Sequence, residues 1–142
     1  GPRAGFGLAT CKPDRFVSVT ARGDGRILTR PFWTDAPRLC ANARIARGGS
    51  LRAEVLDVAG QTLPGFSLEK CLPLTGDSVA HEFVWKDSPD LTTLLNREIR
   101  LRVHARNAAL YSLYSGTVEE ARRYWEFRIP SFIAMTGEKE MM

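Results

Sequence analysis

A chain of 142 residues with 44% hydrophobic and 25% charged side chains can bury one core, and its composition excludes a collagen-like or wholly disordered polypeptide. No apolar run approaches the ~20 residues of a membrane-spanning helix. Twenty basic against sixteen acidic groups leave a net +4. The surplus is uneven: between Arg15 and Arg52 eight arginines stand against only Asp24 and Asp35, a stretch suited either to phosphate, sulfate or an acidic partner, or to plain solvation.

The opening Gly1-Pro2, with no initiating Met, reads as a protease scar on an excised piece, and residues 1–3 are taken as linker. A domain is expected over 4–116 and an extension, partly helical or extended with a frayed end, over 117–142. The dominant rhythm is alternation of apolar and polar residues, the mark of strands with one face in a core. In chain order the candidates are FGLATC (6–11), RFVSVT (15–20), RILTRPF (26–32) and RLCANARI (38–45), the last placing Leu39, Ala41, Ala43 and Ile45 opposite Cys40, Asn42 and Arg44. SLRAEVLDV (50–58) sets Leu51, Ala53 and Val55 against Arg52 and Glu54, with Leu56 breaking the polar side. VAHEFVW (79–85) points Val79, His81, Phe83 and Trp85 inward, and ALYSLY (109–114) is a shorter run. The cleanest is EIRLRVHAR (98–106): Ile99, Leu101, Val103 and Ala105 on one face, Glu98, Arg100, Arg102, His104 and Arg106 on the other.

Between these runs stand turn formers, Lys12-Pro13-Asp14, Arg22-Gly23-Asp24-Gly25, Arg47-Gly48-Gly49-Ser50 and Val58-Ala59-Gly60-Gln61, in which Gly supplies positive φ and Pro or Asp starts the reversal. Seven or eight strands at this spacing predict an all-β fold, a two-sheet antiparallel β-sandwich of jelly-roll or concanavalin-like form, since a lone sheet would leave one apolar face wet. SPDLTTLLNRE (88–98) predicts one short helix capped by Asp90. In TVEEARRYWEFRIP (117–130), capping-box spacing at Thr117 and Glu120 competes with alternation at Trp125, Phe127 and Ile129; a short helical turn followed by an extended segment is favoured, and the chain is expected to be loose from TGEKEMM onward.

The stretches GFGLATCKPDRFVSV, ILTRPF, GGSLRAEVLDVAGQTLPGFSLEKCLPLTGDSVAHEFVWK and REIRLRVHARNAALYSL together resemble the β-sandwich module that follows a five-bladed propeller in proteins related to family 32 glycoside hydrolases. The resemblance spans residues 4 to 115 and is most specific over Glu54–Ser78. It implies a noncatalytic accessory domain of a larger glycoside hydrolase-like protein, because in such glycosidases the catalytic carboxylates lie in the propeller, and it implies an extracellular address. The tail beyond Ser115 lies outside the match.

Candidate chemistry is sparse. Cys11, Cys40 and Cys71 lack Cys-x-x-Cys spacing, which argues against a zinc knuckle or redox dithiol; one disulfide with a free thiol, or three reduced thiols, remain, and the latter is expected. No nucleophile elbow appears. Asp57, Asp77, Glu82 and Asp87 supply carboxylates but no distinctive pair, and the loop around Asp77 lacks the clustered acids of a calcium site. No catalytic residue, metal or cofactor is therefore assigned. His81 reads as a core histidine satisfied by a hydrogen bond. His104 reads as solvated, its pKa lowered by neighbouring arginines.

Pro64-Gly65-Phe66 reads as a turn with an aromatic plug, and Gly76-Asp77-Ser78 as a structural latch. Sugar binding by a sandwich calls for exposed rings flanked by polar groups: Trp33 beside Asp35, between two prolines, then Tyr111, Tyr114 and Trp125, each ring more simply read as packed. The outward stripe Arg100, Arg102, His104 and Arg106, with Arg52 and Arg44 nearby, lacks the interleaved aromatics that nucleic acid wants. An acidic glycan or a neighbouring domain suits it better. The expected partner is thus a glycan or the parent protein's adjacent domain, with neither nucleic acid nor membrane, while oligomeric state is left open.

Overall fold

The computed structural model describes residues 18–34, 36–87 and 89–117, together with the strand backbones at 132–133 and 138–141. The fold is all-β. Strands β1 (Val19–Leu28), β2 (Phe32–Trp33), β3 (Leu39–Leu56), β4 (Asp77–Glu82), β5 (Glu98–Ser115), β6 (Phe132–Ile133) and β7 (Glu138–Met141) form an antiparallel sheet in the order β4-β3-β5-β1-β7, with β2 and β6 adding to β5. The arrangement is consistent with a β-sandwich, although a second sheet is not shown among the described residues.

Two of the expected turns are bends within strands. Arg22-Gly23 is a bulge in β1, where the register to β5 slips between Ala21 and Asp24. Arg47-Gly48-Gly49 lies inside the 18-residue β3, where the register to β5 slips between Ile45 and Ser50. Both irregularities meet Asn107 of β5, a left-handed residue at φ 47°. Its side-chain Oδ1 accepts a hydrogen bond from the Gly23 amide at 2.7 Å. Three neighbouring strands therefore kink at one level, and runs that read as separate strands are the two halves of long ones. A bulge adds residues to one strand of a pair and increases its local bend, so glycine here re-aims the strand instead of reversing it.

Alternation in the lower half of the sheet matches expectation. Ile99, Leu101 and Val103 are fully buried with Leu51, Ala53 and Val55, while Arg100, Arg102, Arg52 and Glu54 look outward. Leu56, out of phase, is nonetheless buried. In the upper half both faces are covered: Cys40, Asn42, Ser112 and Tyr114 are as buried as Leu39, Ala41 and Leu113. Alternation there separates two buried sides and not a core from water.

The core face is completed by the segments on either side of β4, Leu63, Phe66 and Cys71 before it and Phe83, Trp85 and Leu94 after it. Leu63 to Phe66 closes a turn with Gly65 at φ 89°, and the Phe66 ring meets Trp85 edge-on at 5.2 Å, the expected plug. The same segments seal the open edge of β3. Leu51 exchanges two backbone hydrogen bonds with Leu74, the Val55 amide donates to Phe66, and the Val55 carbonyl accepts from Leu63. The Ala53 amide donates to Cys71 Sγ at 3.3 Å, and the Ala53 carbonyl accepts from the Trp85 indole at 3.0 Å. At Gly76-Asp77-Ser78 the aspartate expected before the strand instead opens β4 itself, and it is the Gly76 carbonyl that accepts from the Ile45 amide and lies 3.1 Å from His81 Nε2. His81 is thus the satisfied core histidine expected of it.

The turn at Val58-Ala59-Gly60-Gln61 is present, with Asp57 Oδ1 accepting from the Ala59 and Gln61 amides. The short helix is a 3₁₀ turn, Leu91–Leu94, whose cap Asp90 accepts from the Thr92 amide. Cys40 and Cys71 are free and buried. Among the described residues, no helix is long and apolar enough to cross a membrane. FGLATC, Cys11, the first turn, and Trp125 with the helix-or-strand reading of 118–130 lie outside the described residues. The end of the chain, expected to be loose, supplies β7, which pairs Glu138–Met141 with Leu28–Gly25 of β1.

Candidate functional site

The surface opposite the core is organised by β5. Its outward residues take fixed cross-strand neighbours: Glu98 faces Trp33, Arg102 lies between Leu28 and Glu54, His104 between Arg26 and Arg52, and Arg106 between Asp24 and Ser50. Opposed residues in adjacent strands carry their side chains to the same face. Trp33 therefore shares the face of Glu98 and the arginines, whereas Phe32, opposite Ile99, packs against the core.

The tryptophan is 63% exposed. Its backbone is held by pairing with β5 and by Thr34, a buried residue bridged to Leu95 whose hydroxyl donates to the Ala36 carbonyl at 2.8 Å. A ring presented from such a rigid support is ready for stacking. Its sequence neighbour Asp35 lies outside the described residues. Tyr111 is half-buried. Tyr114 is a correction: it is only 3% exposed, and its hydroxyl donates to the Val79 carbonyl at 2.8 Å, stapling β5 to β4 and leaving no ring face for a ligand. The burial of both faces in the upper half of the sheet is the cause.

The arginines divide into two sets. Arg100 donates from Nε to the Thr29 carbonyl at 2.9 Å, and Arg102 donates from Nη1 to Glu54 Oε1 at 3.0 Å. Both are thereby committed to the fold. The side chains of Arg106 and Arg52, together with those of Arg22 and Arg44 across the bend, make no hydrogen bond or ion pair among the described residues. Of the stripe expected to bind a ligand, Arg106 stays available while Arg100 and Arg102 serve as struts. Arg52 stands beside His104 as anticipated. Arg22 was hidden by the reading of its glycine-rich segment as a turn; only the strand register brings it in.

His104 is less solvated than expected. Its Nε2 lies 3.5 Å from Glu54 Oε1, beyond good hydrogen-bonding distance, and has no other partner. Burial lowers its pKa most, Arg26 and Arg102 lower it further, and Glu54 opposes them.

Two hollows flank the bend. One of about 170 Å³ is lined by Asp24, Ser50, Arg52, His104 and Arg106. The other, about 480 Å³ and open, is lined by Ala21, Ile45 and Ala109 with Arg22, Arg44, Asn107 and one carboxylate, Asp77, around it. Thr20, Ala109, Arg44 and Asp77 are successive partners across the strands. Their neighbours Ala21, Ala108 and Ile45 belong to the core cluster, so this hollow opens on the same outer side as the first.

Three of the four carboxylates weighed for glycoside hydrolysis serve local roles, and the fourth, Asp77, lines the larger hollow opposite Arg44. Asp57 caps a turn, Glu82 pairs with Arg38 at 3.5 Å, and Asp87 meets Lys70 at 3.6 Å. No group of three or more His, Cys, Asp or Glu is placed to hold a metal among the described residues. Comparison with family models, with curated proteins and with solved structures returns no match.

Proposed function

We propose that this chain is a noncatalytic accessory β-domain of a larger glycoside hydrolase-like protein, and that its task is carbohydrate binding. The observation that carries the reading is Trp33, an indole 63% exposed on a braced strand and sharing a face with polar and cationic side chains. Sugar recognition needs an apolar ring face for stacking together with polar groups that fix orientation, and both stand on this surface. A glycan array followed by titration calorimetry on the whole chain tests it. Binding lost in Trp33→Ala at unchanged melting temperature supports the reading, and absence of any saccharide ligand at millimolar concentration removes it.

A second reading, a docking module for a neighbouring domain or subunit, is favoured by a different patch. Leu72 and Val84 are each 42% exposed and lie side by side, the Leu72 amide donating to the Val84 carbonyl at 2.8 Å, with Lys70 and Lys86 flanking them. If docking is the task, Leu72→Ser with Val84→Ser will abolish association with the parent's remaining segment while leaving Trp33-dependent sugar binding untouched.

A further inference from the structure

We infer that the saccharide is acidic, and that its sulfate or carboxylate groups seat at the bend of the sheet between Arg52 and Arg106, with Arg22 and Arg44 receiving the next charge. This inference rests on the carbohydrate reading above and adds the ligand's chemical class and its polarity along the sheet.

Three observations converge. First, the fold itself sorts its arginines. Arg100 at Thr29 and Arg102 at Glu54 are taken up by internal acceptors, whereas the side chains of all four arginines that line the two hollows at the bend, Arg22, Arg44, Arg52 and Arg106, have none among the described residues. Second, Arg52 and Arg106 are diagonal neighbours, Arg52 opposite His104 and Ser50 opposite Arg106. Diagonal cross-strand side chains lie ~7 Å apart, so two guanidinium groups can close on one oxyanion from both sides, a charge-assisted geometry that arginine favours. Asp24 is the one carboxylate lining that hollow, which sets a requirement for at least two cationic contacts per anion. Third, the site is long. The stretch of β5 from Glu98, opposite Trp33, to Arg106 covers ~27 Å at the usual rise per residue. No single sugar ring bridges the indole and the bend, so the ligand is a chain.

An acidic saccharide is favoured over nucleic acid because no Phe, Tyr or Trp of the described residues lines either hollow, and the one ring there, the His104 imidazole, is half-buried, leaving successive bases no run of platforms to stack upon. It is favoured over an acidic protein face because the anion seat is a recess of about 170 Å³, suited to a projecting sulfate or carboxylate.

The test titrates the full chain with a sulfated, uronate-containing oligosaccharide in short and long forms, its desulfated and carboxyl-reduced twin, inorganic sulfate, and a single-stranded oligonucleotide of matching charge. The charged oligosaccharide should bind tighter than its neutral twin and tighter in the long form. Arg52→Gln and Arg106→Gln should each weaken it about tenfold or more without shifting the melting temperature, since neither arginine supports the fold. Arg47→Gln, an exposed residue of the bulge, should leave it unchanged. Equal affinity for charged and neutral chains, an Arg47→Gln loss as large as that of Arg106→Gln, or equal or tighter oligonucleotide binding overturns the inference. Neutral binding that needs Trp33 but neither arginine would sink the inference and keep the carbohydrate function. Charged binding that needs both arginines but ignores Trp33→Ala would keep the anion seat and remove the stacking platform; no saccharide binding of any kind ends both.

Discussion

Glu54 carries two obligations, an ion pair to Arg102 at 3.0 Å and a looser contact to His104 at 3.5 Å. The charged groups around the imidazole are Glu54 and Arg52 from β3, Arg26 from β1, and Arg102 and Arg106 from β5. Burial is the main reason its pKa falls below the ordinary value, with two of these arginines assisting. An unfolded histidine titrates near ~6.5, so below that pH the unfolded chain takes up a proton that the folded one resists. Stability is then lost as pH falls through the folded pKa. Melting temperatures taken from about pH 7 down to about pH 5 should decline, and the decline should be shallower in His104→Gln; identical slopes would show that the imidazole is not responsible. The two described thiols obey the same logic of burial. The Cys40 thiol is pushed up to about 12, chiefly by burial with Glu82 adding, and Cys71 is raised by burial too. Since the thiolate is the reactive form, peptide mapping after alkylation should find Cys40 and Cys71 unlabelled in the native protein and labelled once it is denatured.

The element that decides the architecture is the shared kink of β1, β3 and β5. A Cβ at Gly49 would sit 2.4 Å from the Arg106 carbonyl oxygen and 2.8 Å from that of Asn107. Both obstacles are backbone, so Gly49→Ala must spread β3 from β5. Gly48, at φ 80° with open space around it, meets only the left-handed penalty. Chemical denaturation should find Gly48→Ala costing about 1 kcal/mol and Gly49→Ala at least about 2 kcal/mol; the reverse order would mean that the bend tolerates separation. This element also marks where the sequence ceases to be legible. Alternation along Leu51–Val55 and Ile99–Val103 names every inward side chain of the lower sheet, because one face there is wet. The glycine clusters at 22–25 and 47–50 look identical to turns, since positive φ is needed in both; whether the chain reverses depends on a partner strand far along the chain, with Gly23 meeting Asn107 and Ser50 meeting Arg106. Arg22 was out of reach of local reading for that reason, whereas Arg44, Trp33 and Arg106 could be picked out from short stretches alone.

Across the molecule, the segment between β3 and β4, joined by Trp85 just after β4, acts as a substitute strand. It satisfies the outward backbone groups of Leu51, Ala53 and Val55, using a sulfur and an indole where no amide or carbonyl is available. An exposed edge of this kind invites pairing with other chains, and its closure puts the weight on Trp85. Trp85→Phe keeps most of the packing against Phe66 but orphans the Ala53 carbonyl; it should destabilise by about 1–3 kcal/mol, and amide exchange should quicken first along 51–55. The expected sandwich and the observed sheet agree in class because alternation reports burial, while the layer opposite the sheet is irregular and leaves no periodic trace.

The central position of β5 has a temporal consequence. It is the principal partner of both β1 and β3, through pairs such as Val19 with Leu110 and Val55 with Leu101, yet it follows both of them in the chain. A nascent chain emerging from the ribosome can assemble neither flank until residues near 110 are free, and closure over such separations places refolding in the millisecond-to-second regime typical of non-local β topologies. Stopped-flow fluorescence of the buried Trp85 will time that step, and chaperones will meet the unpaired β1, with β3 open along its β5 edge, for as long as it takes.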